Sequence, residues 1–174
     1  ANVEDLTNNR IVIAGVDGEL EDDANFTFDA TTFDKVHKMA GFDFNDKEQL
    51  KLLSELSTKY KAEYSVFPTK GQANKRAYYA DNLSFPAQDG AVLHSMVRHY
   101  KPKKIIEIGS GNSSLAISAA IVLNKKYNQA YSCDWTAIEP YPQNILKEGI
   151  EGIVGLTQLI EKPVQEVPVR EFEK

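Results

Sequence analysis

Residues Lys103–Leu123 read KKIIEIGSGNSSLAISAAIVL, and this stretch decides the fold. Lys103–Ile108 is an apolar, β-branched run carrying one acid, Glu107. Continuous apolar character suits a parallel strand buried on both faces. Gly109-Ser110-Gly111-Asn112 follows at once, and Ser113–Leu123 reads as a helix of small and apolar residues that a sheet would bury. Strand, glycine turn and helix make the first half of a nucleotide-binding βαβ unit. The glycines permit a tight turn and close approach of backbone to a ligand. The helix N-terminus adds unpaired N–H groups and the positive end of its dipole.

The pattern continues downstream. Ser132–Ile138 reads as a second strand ending in Glu139. An acid at that strand end can accept both ribose hydroxyls of an adenosine. Pro140-Tyr141-Pro142 turns the chain, and Pro142 suits the first turn of a helix that Gly149 ends. Gly155–Ile160 offers a third strand, followed by Glu161-Lys162-Pro163-Val164. The order β-α-β-α-β predicts an α/β fold with a partial, Rossmann-like parallel sheet and right-handed crossovers. Two details favour S-adenosylmethionine over a dinucleotide as the adenosine-containing ligand. Ser114 stands where the third glycine of Gly-x-Gly-x-x-Gly would bring the helix close to a pyrophosphate. Glu107, two residues before Gly109, can receive an ammonium but would repel a diphosphate.

Upstream, residues 1–88 read as a mainly helical and irregular region, and 89–174 as the Rossmann-like unit. Ala1–Asn9 reads as a loose terminus, Arg10–Val16 as a short buried strand, and Asp17–Asp29 as an acidic solvated loop. Carboxylates in that loop lack the regular offsets of a calcium site, so no metal is expected. Thr31 or Thr32 caps a helix carrying Phe33, Val36, Met39 and Ala40 that Gly41 stops, and His37 on it reads as a surface residue. Asn45 caps a second helix, with Glu48 completing a capping box and Leu50, Leu53, Leu56 and Tyr60 on one face. Tyr64–Pro86 is an irregular connector with five aromatics, read as docking residues or a ligand lid. Asp89 caps an amphipathic helix with Val92, Leu93, Met96, Val97 and Tyr100 on its stripe, and Lys101-Pro102 ends it. His94 and His99 read as helix-surface residues.

Composition bounds the function classes. The chain has 174 residues, 42% apolar and 26% charged, an ordinary globular balance. A net charge of −5 disfavours non-specific nucleic-acid binding, which needs clustered Lys and Arg. No apolar run approaches bilayer-spanning length, so no membrane partner is expected. The single cysteine, Cys133, forms no internal disulfide and builds no thiolate metal site, which makes a reducing cytoplasm the simplest location.

Ile105–Ser114 (IIEIGSGNSS) is similar to the first motif of class I S-adenosylmethionine-dependent methyltransferases. Ala137–Tyr141 (AIEPY) resembles their second-strand acidic motif, and Leu159–Val167 (LIEKPVQEV) the third strand and loop of a small-molecule subgroup. Tyr79–Asn82 and Asp89–Pro102 fit that subgroup's entry helix, so the resemblance covers about Tyr79–Lys174. It implies S-adenosyl-L-methionine as cofactor and a methyl acceptor among small molecules with oxygen or nitrogen nucleophiles. By the same resemblance Glu107 and Gly109, Ser110, Gly111, Asn112 and Ser113 hold the methionine part. Glu139 holds the ribose, and Pro140 and Tyr141 flank the adenine. Lys162-Pro163-Val164-Gln165 replaces the acid–small pair of many relatives, which leaves backbone atoms or Gln165 to meet the adenine. No catalytic base is assigned; Tyr78, Tyr79, Asn82 and His94 are the candidates.

Only 72 residues run from Lys103 to Lys174, short of a complete doubly wound domain. The expectation is a chain cut after its third strand, whose first strand would present a bare apolar edge. Arg10–Val16, a second copy of the chain or a missing C-terminal half would cover it. The competing readings are a nicotinamide-dependent oxidoreductase module and a non-enzymatic interaction domain that kept the fold.

Overall fold

The computed structural model describes residues 10–14, 45–71, 77–143, 146 and 153–173. The elements in chain order are β1 (Arg10–Ala14), α1 (Asp46–Tyr64), α2 (Ala87–Tyr100), β2 (Lys104–Ile108), α3 (Asn112–Tyr127), β3 (Asp134–Ile138) and β4 (Leu156–Ile160). A 3-10 turn (Val164–Glu166) and a short α4 (Arg170–Glu173) close the chain. The expected terminus 1–9, acidic loop 17–29, helix over 33–40 and most of the helix between Pro142 and Gly149 lie outside the described residues.

The four strands form one parallel sheet in the order β1-β2-β3-β4. The βαβαβ reading of Lys103–Ile160 is thus correct in strand direction and neighbour order. The free edge of β2 is covered from within the chain: Arg10–Ala14 runs parallel to it, with Ile11 opposite Ile105 and Ile13 opposite Glu107. β2 is therefore an interior strand, and its apolar run is buried on both sides. Ile105 faces a core built with Leu115, Ala116, Ile117, Ala120 and Ile121 of α3, Trp135 and Ala137 of β3, and Val97 of α2. Ile106 faces the opposite side with Ile138 and Val167, flanked by Ile160, Val164 and Phe172. Each such isoleucine contributes about 1.5–3 kcal/mol by leaving water.

Several element boundaries differ from the sequence reading. α2 starts at Ala87, with the Pro86 carbonyl taking the first helical bond from Gly90 N; Asp89 is no cap and lies in the first turn, where its charge suits the helix dipole. At α1 the Asn45 carbonyl receives Glu48 N and Gln49 N, its φ is 49°, and its side chain makes no cap bond, so the capping box does not form. Leu56 and Tyr60 of that helix are buried, but Leu50 and Leu53 are exposed, so only part of the expected apolar face is covered. α3 runs past Leu123 to Tyr127 because Asn124 is satisfied by α2: its amide donates to Val97 O at 3.1 Å and its carbonyl accepts from Arg98. β3 begins at Asp134, two residues later than expected.

The histidines of α2 are also placed differently. His94 is fully buried and His99 half-buried, so neither is a free surface residue. His94 Nε2 meets Glu63 Oε2 at 3.1 Å, and Arg98 clasps the same carboxylate through Nε at 2.7 Å and Nη2 at 2.8 Å. Tyr60 and Tyr127 lie on the guanidinium faces of Arg98. Burial holds the His94 imidazole below its ordinary pKa, against the pull of Glu63. This cluster ties α1 and α3 to α2. No helix among the described residues is long and apolar enough to cross a membrane.

Candidate functional site

The site lies where β2 and β3 end. The turn after β2 needs its glycine: Gly109 has φ 77°, a left-handed conformation that side chains resist. Gly109 N reaches across to Ile138 O at 2.9 Å, and Glu139 N to Ile160 O at 3.0 Å, so the parallel ladder carries both acidic strand ends to the same rim.

Glu139 is buried to 7% exposure, and each carboxylate oxygen accepts one backbone N–H. Ser110 N donates to Oε2 at 3.1 Å, and Tyr141 N to Oε1 at 2.8 Å. The loops after β2 and β3 thus clamp one carboxylate between them. A carboxylate oxygen has two acceptor sites. One remains on each.

Glu107 sits beneath the turn, facing α3. It is fully buried. Ser113 Oγ donates to its Oε1 at 2.8 Å, and Ser114 Oγ contacts both oxygens at 3.1 and 3.0 Å. Ser114 Oγ in turn accepts Gly111 N at 3.1 Å. Burial pushes the Glu107 carboxyl up to about 7, helped by the nearby charge of Glu139, while the two serines and the Trp135 indole favour the charged form. The indole Nε1 lies near the carboxylate without completing a hydrogen bond of normal geometry.

Two observations bear on whether a ligand fits here. Ser110 Oγ is a buried hydroxyl without a hydrogen-bond partner. A Cβ built on Gly111 would meet nothing within 4 Å, so no internal packing accounts for the bare backbone there. Ser110, Asn112 and Ser113 are half-buried along the same turn. Pro140 is half-buried beside Glu139, whereas Tyr141 is 86% exposed and Gln165 is exposed on the 3-10 turn.

The candidate bases are engaged elsewhere. Tyr78 is buried, its hydroxyl lies 2.8 Å from both Phe85 O and Pro86 O, and burial raises its pKa. Asn82 organises the same turn, donating to Tyr79 O and Phe85 O and accepting Phe85 N. Tyr79 packs against Gly71. His94 belongs to the Glu63–Arg98 cluster. Within the described parts of the aromatic connector, 64–71 and 77–86, Ala80 N bonds to Pro68 O and Asp81 N to Thr69 O. Sequence reading missed Glu63, which nothing marks on an exposed-looking helix. It also missed Ser114 as a structural hydroxyl; its place three residues after Gly111 is the signal that could have found it. Among the described residues no three His, Cys, Asp or Glu side chains gather as metal ligands.

No family model matches the chain, and no solved structure matches it. It is 37% identical over 138 residues to an uncharacterized protein of Archaeoglobus fulgidus, a match covering 79% of this chain and 59% of that protein. The matched part thus spans about three-fifths of the relative's length.

Proposed function

We propose that this chain carries the cofactor-binding part of an S-adenosylmethionine-dependent methyltransferase acting on an oxygen or nitrogen nucleophile of a small molecule. The observation that carries the reading is Glu139: a buried strand-end carboxylate, fixed by Ser110 N and Tyr141 N, with one acceptor site left on each oxygen. That pair of sites suits the vicinal hydroxyls of a ribose. The open space over Gly111 and the unpartnered Ser110 hydroxyl support a ligand lying along the same turn. S-adenosylmethionine supplies, when bound, a methyl on a sulfonium, ready for direct displacement. The protein's part is to hold ligand and nucleophile in line.

Glu139 alone would serve a nicotinamide dinucleotide equally well. Ser114 argues against that ligand: it occupies the third-glycine position with its hydroxyl bonded to Glu107. Calorimetric titration of the 174-residue chain with S-adenosylhomocysteine and, separately, with NAD tests the reading. Saturable heat with the first and none with the second is expected; the reverse would replace the methyltransferase reading with the oxidoreductase one.

A further inference from the structure

We infer that Glu107 is a positioning residue: its buried carboxylate, acting through Ser114 and Ser113, holds the Gly109–Gly111 turn in the shape that receives the ligand, without touching the ligand itself. The inference rests on the proposed function. It departs from what the family resemblance implies for this acid, a direct contact with the methionine ammonium.

The geometry is a relay. Glu107 has no solvent-exposed surface, so a ligand atom as large as a water oxygen cannot reach it as the chain stands. Its two oxygens are engaged by Ser113 Oγ at 2.8 Å and Ser114 Oγ at 3.1 and 3.0 Å. The Ser114 hydroxyl has one proton, which it gives to Glu107, and its lone pair takes Gly111 N at 3.1 Å. The next amide back along the turn, Ser110 N, donates to Glu139 Oε2 at 3.1 Å. A displacement of the Glu107–Ser114 pair would therefore move the Gly111 and Ser110 amides together and carry Glu139 with them. A buried site without competing water strengthens hydrogen bonds of this kind. Around Glu107 stand Ser113 and Ser114 of α3, Trp135 of β3 and Glu139 at the end of β3; Ile13 lies opposite in the β1 register.

The direct and the indirect roles separate experimentally with two ligands. S-adenosylhomocysteine carries the ammonium; 5′-methylthioadenosine shares the adenosine and lacks it. Calorimetry would be run on the full chain and on Ser114→Ala, Glu107→Gln and the double variant. A positioning role expects Ser114→Ala to weaken both ligands about tenfold, Glu107→Gln to weaken both by similar factors, and the double variant to be within about twofold of the weaker single one. Glu107→Gln weakening S-adenosylhomocysteine tenfold while sparing 5′-methylthioadenosine would overturn the proposal, as would a silent Ser114→Ala. Amide exchange at Gly111 in the ligand-free proteins adds a readout independent of binding. Faster exchange in both single variants, with unchanged protection of the α3 interior, is expected; unchanged Gly111 exchange would overturn the relay. Failure of the unaltered chain to bind either ligand would instead remove the methyltransferase reading, and the exchange data would still decide whether Glu107 holds the turn.

Discussion

Replacing Glu139 by Gln is conservative in shape and not in hydrogen bonding. Each carboxylate oxygen accepts a backbone N–H, from Ser110 at 3.1 Å and Tyr141 at 2.8 Å. A carboxamide has one oxygen, so its NH2 must face one of these two donors. One bond is lost and a shielded N–H is left facing another donor, which costs about 1–3 kcal/mol. In a domain of this size each kcal/mol moves the melting temperature by about 2–4 °C, so Glu139→Gln should melt about 2–12 °C lower. The proposed ribose bonds lose their charge as well. A charge-assisted hydrogen bond contributes about 1.5–3 kcal/mol, so S-adenosylhomocysteine affinity should fall about tenfold to a hundredfold. Calorimetric titration well below the melting range, paired with a thermal melt, separates the two effects. A variant that melts low but binds normally refutes the ribose role. One that also melts with the unaltered chain refutes the local hydrogen-bond argument too.

Three further outcomes follow from other parts of the molecule. Because burial raises the Glu107 carboxyl from 4.5 to about 7, the folded chain holds a proton there that the unfolded chain releases. Its stability contribution is complete below pH about 4.5 and is lost as pH rises through 7, by about 3 kcal/mol in all. Urea unfolding across pH 4.5–8 should show Glu107→Gln gaining on the unaltered chain as pH rises, and a constant difference would refute the buried-acid assignment. Arg98→Met leaves the half-buried Glu63 without its guanidinium and should cost about 1–3 kcal/mol in urea unfolding, with Glu63→Gln added to it restoring part of the loss. Gly90→Ala would place a Cβ 2.2 Å from the Tyr78 ring and hydroxyl, forcing the tyrosine off the Phe85 and Pro86 carbonyls; a loss of about 1–3 kcal/mol is expected, and a thermal melt equal to that of the unaltered chain would refute the packing account.

The Lys103–Ile160 unit was legible in the sequence because its signals are local. An apolar run marks a strand shielded on both faces, a glycine pair marks the turn, and an acid closes each of two strands. Those features fixed the α/β class, the parallel direction and the approach of Glu107, Glu139 and the glycine turn to one rim. What tertiary structure alone decided are relations between distant segments. Arg10–Ala14 covers β2, which required knowing that a strand some ninety residues upstream finds that edge. Glu63 lies 31 residues from His94 and 35 from Arg98, and only the crossing of α1 over α2 makes the three one buried cluster. That crossing also turned His94 from an expected surface residue into a core one. The Glu107 side chain points under the turn, into the hydroxyls of Ser113 and Ser114, because β2 and α3 pack face to face. Residue type and spacing bring an acid to a strand end, whereas the packing of the next helix determines whether it meets solvent, a ligand or the chain itself.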